Sequence, residues 1–252
     1  MNSPSLSILV PARNEAGNIR QIVQEIPDLP GVQQELIFIE GNSTDNTWRE
    51  IQTQVANNSR PFPIRAFKQP GKGKADAVRK GCREAQYNLV IIFDADRTVS
   101  AKYIRDFYEQ YGRMQTGLVI GNRFHFPMEP KAMRPLNYAG NWLFAWLLSA
   151  ALRTRVPDSL CGMKLFSKQD WLKWQRWMRE ELRAEDPFGD FELLFPAAAF
   201  GVAIQSIPVP YRARTYGATN IRRFRDGFLL LRLTITGWVY LRGRGRSNSL
   251  DR

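Results

Sequence analysis

Leu89-Val90-Ile91-Ile92-Phe93-Asp94-Ala95-Asp96 decides how the chain is read: five apolar residues, three of them β-branched, stop at two carboxylates one residue apart. A short apolar run of this kind is a buried strand, and in an open α/β sheet ligands bind just beyond the carboxyl ends of strands. Alternate residues of an extended chain face the same way, so Asp94 and Asp96 can together reach one hard divalent cation and the phosphates of its ligand. The competing reading is a pair of solvated aspartates in a strand-ending turn.

Working outward, the same unit recurs. Leu6 to Val10 is an apolar strand closed by Pro11, and Asn14 or Glu15 opens a helix with Ile19, Ile22, Val23 and Ile26 on one face, stopped by Pro27. A second strand, Glu35 to Ile39, runs into the polar turn Glu40-Gly41-Asn42-Ser43-Thr44-Asp45, whose Ser, Thr and Asp suit the cap of a helix over 46–56. A third strand is expected at Pro61 to Phe67. The basic loop Gly71-Lys72-Gly73-Lys74 then precedes a helix over 75–85. Alternating strands and helices predict an α/β fold with a mostly parallel sheet, and every polar cluster follows a strand, hence lies on one edge. The loop is not a complete P-loop, because Ala75 stands where Ser or Thr is required, but mobile amides and two lysines at a helix start suit a diphosphate.

The chain has 252 residues, enough for one large core. Its net charge of +12, concentrated in late arginines such as Arg212, Arg214, Arg222, Arg223, Arg225 and Arg232, points to an anionic partner. Cys82 and Cys161 lie too far apart in sequence for a metal-ligand pair and are too few for a disulfide framework, which fits a reducing cytoplasm. Met1 to Leu6 lacks the basic and apolar regions of a secretory signal. Trp142 to Leu152 is too short to span a bilayer, and Gly227 to Leu241 is short and interrupted by Arg232.

Four ordered motifs carry a family resemblance: Val10-Pro11-Ala12-Arg13-Asn14-Glu15, Glu40 to Thr47, Gly71 to Ala77, and Asp94-Ala95-Asp96. In this order and spacing they resemble the nucleotide-sugar half of family-2 glycosyltransferases of the GT-A fold, a Rossmann-like arrangement. Gly121-Asn122-Arg123, Asn137 through Asn141, Asp158 to Lys164, Phe188 to Leu193 and Tyr211 to Ile221 resemble the branch similar to dolichyl-phosphate mannose synthases and bacterial polyprenyl-phosphate glycosyltransferases. The resemblance covers about 6–241. It divides the chain into a donor half over about 1–100, an acceptor half over about 101–222, an amphipathic interfacial helix over 223–241 and a basic flexible tail over 242–252. Two departures stand out. Glu40-Gly41 replaces an acidic pair, and Arg97-Thr98 stands where many relatives carry Gln or another polar ligand.

The resemblance implies inverting transfer from a GDP- or UDP-sugar to a polyprenyl phosphate at the inner face of the cell membrane. Mg²⁺ or Mn²⁺ on Asp94 and Asp96 would neutralise the departing diphosphate, with Asp96 the catalytic member and Asp94 also available to the ribose. Pro11, Arg13, Glu15, Glu40, Asp76 and Asp94 match donor positions. Glu15 and Asp76 are alternatively helix-start carboxylates facing the macrodipole. Arg123, Arg134 and Arg214 match the clamp for the acceptor phosphate, since guanidinium pairs with phosphate oxygens. An ionised phosphate nucleophile needs no base. A hydroxyl acceptor would need one, and Asp190 is the residue for it unless it caps the helix from Phe191 to Ala199. Asp158 is either part of the site or a turn residue beside Pro157.

Asn141 to Leu152 and Phe224 to Leu241 combine apolar stretches with aromatics and flanking arginines, the composition of helices lying in a membrane interface or packed in a core. The tail Arg242-Gly243-Arg244-Gly245-Arg246 either holds anionic lipid or is a disordered end. A nucleic-acid partner is not expected, because no such motif is present and acidic clusters line the ligand edge. A nucleotide-sugar-binding module without turnover is the other rival.

Overall fold

A computed structural model describes residues 5–130, 132–182, 186, 188–217 and 223–247. The motif residues 218–221 and the tail residues 248–252 lie outside the described residues, as does Arg222.

The first half forms β1 (Leu6–Ala12), α1 (Ala16–Glu25), β2 (Gln34–Glu40), α2 (Thr47–Ala56), β3 (Ile64–Lys68), α3 (Lys74–Glu84) and β4 (Leu89–Ile92). The expected alternation is present, with β3 starting three residues later than Pro61. The second half adds α4 (Ile104–Met114), β5 (Leu118–Asn122), α5 (Pro135–Leu152), β6 (Lys164–Ser167), α6 (Lys168–Trp177), α7 (Phe191–Ala199), β7 (Ile204–Pro208) and α8 (Arg223–Ser247). Helix α8 continues through residues 242–247, which were expected in the flexible tail. Helix α5 begins at Pro135, so the Asn137–Asn141 motif is its first turns; proline suits a first helical position, where its missing N–H is no loss.

The seven strands form one sheet in the order β3-β2-β1-β4-β6-β5-β7. β6 alone runs antiparallel to its neighbours, pairing Ile92 with Lys164 and Ile120 with Lys164. Side chains of successive strand residues alternate between faces. Leu9, Ile37, Val90 and Phe166 build one core with α3, α6 and α7, and Ile8, Phe38, Ile91 and Leu165 build the other with α1 and α4. Both faces are covered, which is why β1, β2 and β4 read as unbroken apolar runs.

This topology delivers the carboxyl ends of β1, β2, β3, β4, β5 and β7 and the amino end of the reversed β6 to one edge. Asn14, Asn42 and Arg97, each just past a strand on that edge, have positive φ of 56°, 57° and 56°. Asparagine tolerates this conformation; arginine does so at a cost, so the turn after Asp96 is held by its surroundings.

Candidate active site

The loops after β1 and β2 are laced together. Asn14 donates its backbone N–H to Ser43 Oγ (3.0 Å) and accepts from the Thr44 N–H at Oδ1 (2.8 Å), while the Glu15 N–H reaches Thr47 Oγ1 (2.8 Å). Asp45 accepts from the backbone N–H groups of Thr47 and Ala16. Partial burial acts to raise its carboxyl, and these hydrogen bonds outweigh it and hold it low. Glu40, buried at the end of β2, accepts from the Ser43 N–H (2.5 Å), and Asp76 in the first turn of α3 reaches back to the Gly71 N–H (2.8 Å). Both carboxylates therefore shape the walls of the crevice. Pro11 is half-buried near the end of β1 and Arg13 is exposed just beyond it.

Beyond β4 the two aspartates meet different cations. Lys74, the first residue of α3, places its Nζ 2.5 Å from Asp94 Oδ1. Burial acts to raise the Asp94 carboxyl, but the Lys74 ammonium, with the fields of Lys164 and Arg123, outweighs it and holds it low. Lys74 is correspondingly raised: burial pulls it down and the charges of Asp94, Asp190 and Asp96 more than reverse this. Gly162 lies against this pair so closely that a Cβ there would overlap Asp94 Oδ2. Asp96 accepts at Oδ1 from the Thr98 N–H (3.1 Å) and hydroxyl (2.8 Å), closing the turn through Arg97, and at Oδ2 from Arg214 Nη2 (2.7 Å). Arg97 itself turns away to pair with Glu25 of α1.

Arg214 also donates through Nη1 to Glu15 (2.7 Å), which takes a further bond from Asn18. Burial pushes the Glu15 carboxyl up to about 7, a rise that Arg214 and Asn18 only partly oppose and Asp96 reinforces. Glu15 is thus part of a charge cluster rather than a free helix-start carboxylate.

The remaining sequence-based assignments divide. Arg123 is buried and committed: its backbone N–H and Nε bond Asp158 Oδ2 (3.0 and 2.7 Å), Nη2 bonds Asp158 Oδ1 (2.8 Å), and the Tyr211 ring lies 5.0 Å from its guanidinium carbon. The guanidinium edge that would fork onto an acceptor phosphate is here engaged by a carboxylate. Asp158 also accepts from the Leu160 N–H at Oδ1 (3.2 Å), so it closes the turn after Pro157 as well as holding Arg123. Arg134 is exposed at the start of α5, beside Tyr138, whose ring stacks edge-on against Phe124 at 5.2 Å. Asp190 makes no capping bond to α7. Asp186 does so instead, accepting from the Phe191 N–H (2.6 Å) and the Phe188 N–H (2.9 Å), and burial, then the charge of Asp190, pushes it up to about 7. The Asp190 carboxylate pairs with Lys164 Nζ (2.5 Å), which also donates to the Cys161 carbonyl.

Lys164, Asp186 and the partnership of Arg123 with Asp158 are absent from the sequence-based set. Lys164 had a signal: a charge entering the apolar run Leu165-Phe166 must be paired if the run is a buried strand.

Asp94 and Asp96 offer the hard oxygen donors a divalent cation takes, and such ions commonly bind through one or two carboxylates with substrate phosphates completing the shell. Among the described residues no group of three or more His, Cys, Asp or Glu side chains gathers into a self-sufficient metal site. The pair therefore fits an ion shared with a phosphate ligand.

A doubly covered sheet whose acidic strand end faces a glycine loop and a helix start defines an α/β protein with a crevice suited to a phosphate-bearing ligand. Residues 7–171 match the family model described as glycosyl transferase family 2, and the chain belongs to that family. Among curated relatives it is 27% identical to a dolichyl-phosphate beta-glucosyltransferase of Trichomonas vaginalis over 81% of this chain and 63% of the relative, and so spans under two thirds of that protein. It is 25% identical to a dolichyl-phosphate hexose transferase of Haloferax volcanii over 88% of this chain and 89% of the relative. The fold matches Mycobacterium tuberculosis glucosyl-3-phosphoglycerate synthase, solved with Mn²⁺, UDP and phosphoglyceric acid, with a TM-score of 0.63 at 16% identity over 93% of this chain and 78% of that one. The architecture is the GT-A fold.

Proposed function

We propose that the chain transfers a hexosyl group, with inversion, from a UDP- or GDP-sugar to a polyprenyl phosphate at the inner membrane surface, assisted by Mg²⁺ or Mn²⁺. The observation that carries this reading is the meeting, at one sheet edge, of the Asp94/Asp96 pair with Lys74 and Arg214, beside the start of a helix that exposes an uncharged face. The activities named for the relatives support the acceptor class, and the Mn²⁺ and UDP in the structural neighbour support the donor chemistry.

In this reading the nucleoside lies over Pro11, Arg13, Glu15 and the walls set by Glu40 and Asp76. The diphosphate faces the Lys72 and Gly73 amides, the amino end of α3 and Lys74, where backbone N–H groups and the helix dipole favour negative charge. The ion on Asp94 and Asp96 supplies Lewis-acid stabilisation of the leaving diphosphate. The acceptor phosphate is held by Arg134 and Arg214, with Arg123 contributing charge from behind its bond to Asp158. Its ionised oxygen attacks the anomeric carbon opposite the leaving group, so the residues contribute positioning and charge compensation rather than proton removal.

The lipid side is α5 and α8, which pack on each other. Residues 135–152 contain no charged side chain, and Leu136, Trp142 and Trp146 are 72%, 61% and 59% exposed; on α8, Phe228 and Val239 are 71% and 63% exposed. Arg242 lies over the Trp238 ring at 4.4 Å, an arrangement suited to a headgroup boundary. No helix among the described residues is long and apolar enough to cross a membrane, so the reading is of helices lying on one.

The test is direct. Purified chain, Mn²⁺, labelled nucleotide sugars and vesicles carrying undecaprenyl phosphate should yield a mild-acid-labile glycolipid, lost with EDTA. Transfer only to soluble hydroxyl acceptors would replace this reading with one in which Asp190 serves as base.

A further inference from the structure

Arg97 and Thr98, where the chain departs from its resemblance, follow directly on the acidic strand end. Thr98 is buried, and all three of its polar atoms are bonded. Its N–H and hydroxyl both meet Asp96 Oδ1, at 3.1 and 2.8 Å. Its carbonyl accepts from the Arg212 N–H (2.9 Å), and its side chain hydrogen-bonds the Tyr211 hydroxyl. The strap after β7, residues 211–217, therefore starts on Thr98, and the Tyr211 ring that covers Arg123 is tied to it as well.

Arg97 holds the same turn from the other side. Its φ of 56° is unfavourable for any residue with a Cβ and persists only where the surroundings impose it. The guanidinium leaves the crevice for the last residue of α1: Nε donates to Glu25 Oε2 (3.3 Å) and Nη2 to Glu25 Oε1. The turn that carries Asp96 is thereby anchored to α1, through a partner 72 residues away in sequence.

The consequence falls on Asp96. The terminal torsion of an aspartate is broad, so a lone carboxylate rotates easily; two donors on Oδ1 remove that freedom and leave Oδ2 as the oxygen not used by its own turn. Among the described residues the acidic pair has no third His, Cys, Asp or Glu beside it to share a cation. A site with few ligands depends on how firmly each is held.

We infer that Thr98 and Arg97 are positioning residues of the metal site: Thr98 fixes the Asp96 carboxylate, and Arg97, through Glu25, fixes the turn beneath it. The inference rests on the divalent cation of the proposed function. It adds how two carboxylates alone are made rigid enough to hold that cation, and it gives the departing residues a role other than ligation.

Free Mn²⁺ measured by electron paramagnetic resonance, alone and with saturating UDP or GDP, reads this without turnover. Thr98→Val keeps the shape and both backbone bonds of the residue and loses only the hydroxyl. It should weaken Mn²⁺ binding about tenfold, the lower end of what an outer-shell partner supplies, and Thr98→Ser should restore it. Glu25→Gln releases Arg97 from outside the crevice and should weaken Mn²⁺ about threefold, the scale of an exposed ion pair, with the difference closing at high salt. Urea midpoints separate these effects from loss of fold, and Glu25→Gln, at a partly exposed helix end, keeps the test decisive if Thr98→Val unfolds. A folded Thr98→Val that holds Mn²⁺ as tightly as wild type, a Thr98→Ser that loses as much as Thr98→Val, or a Glu25→Gln without effect overturns the inference and leaves the proposed function standing. Failure of the wild type to bind Mn²⁺ with either nucleotide overturns the metal in both.

Discussion

Replacing Arg123 by Met removes a guanidinium that bonds Asp158 twice, at 2.7 and 2.8 Å, and leaves the bond from the backbone N–H of residue 123. The side chains are 8% and 0% exposed. Arg123 is raised well above its usual value and Asp158 is held below the carboxylate range; for each, burial opposes charging and the partner overcomes it. The change leaves a buried carboxylate with only the backbone N–H groups of residues 123 and 160 as partners. Breaking a buried pair from one side costs about 3–5 kcal/mol, whereas replacing both members by apolar groups of similar volume is often near neutral. Arg123→Met should therefore lower stability by roughly 3–5 kcal/mol, and the double variant with Asp158→Leu should recover most of it. Urea unfolding followed by circular dichroism reads this directly. With a slope near the upper end of about 1–3 kcal/mol per molar, the single change moves the midpoint down by roughly 1–2 M. Acceptor use should fall in proportion to the loosening of Tyr211, whose ring covers Arg123 and whose chain begins the strap. A single variant within about 0.5 kcal/mol of wild type, the scatter of ordinary surface changes, that nevertheless loses acceptor use would refute the reasoning, because Arg123 would then be a ligand and not a strut.

Three further outcomes are expected. Asp96→Ala should abolish metal-dependent transfer while leaving the circular dichroism spectrum unchanged, since it removes only two local turn bonds and one partly exposed ion pair; retained turnover would remove Asp96 from the metal site. Asp186 has a folded value of about 7 against an ordinary 3.8, so the folded state holds its proton where the unfolded state has lost it, and stability from this group is present below pH 3.8 and is lost as pH rises to about 7. Relative to wild type, Asp186→Asn should therefore gain on the order of 4 kcal/mol between pH 4 and 8, measured by urea midpoints; a flat difference would show that Asp186 titrates normally. Trp142→Glu with Trp146→Glu withdraws two exposed aromatics worth about 2 kcal/mol each on burial, so sedimentation with anionic vesicles should weaken by at least about a hundredfold, while Mn²⁺ and UDP binding stays unchanged.

The first half was legible because its signals are local. Leu89–Phe93 is apolar since β4 is covered on both faces, and each polar cluster follows its strand without interruption. The second half hides its architecture because β6 runs against the sheet. Four residues beginning with a lysine, with 11 residues (153–163) between them and the end of α5, do not read as a strand. Its position is nonetheless what brings Gly162 against Asp94 and Lys164 against Asp190. Arginine roles were the least legible. Arg123, Arg134 and Arg214 read alike in sequence, yet one is buried on Asp158, one stands exposed at a helix start, and one ties two acidic loops together. The sequence distance from Arg123 to Asp158 is 35 residues and from Arg214 to Glu15 is 199, so only the folded chain reveals the partners.

Pairing also bears on why metal and donor would enter together. At this edge Asp94 faces Lys74, Asp190 faces Lys164, Asp158 faces Arg123, and Arg214 is shared by Asp96 and Glu15. With Glu15 titrating near 7, the set lies close to electrical balance at neutral pH. A divalent cation alone would add charge to a balanced, partly desolvated cluster, and a diphosphate alone would add the opposite charge; each is opposed. A cation and a diphosphate arriving as one neutralised unit would leave the sum unchanged, with Asp94 and Asp96 available to hold the cation and Lys74 and Arg214 to hold phosphate. On the proposed phosphate acceptor, which needs no proton transfer, this exchange of partners would give these ion pairs a purpose: they hold the side chains that change partners within reach of one another.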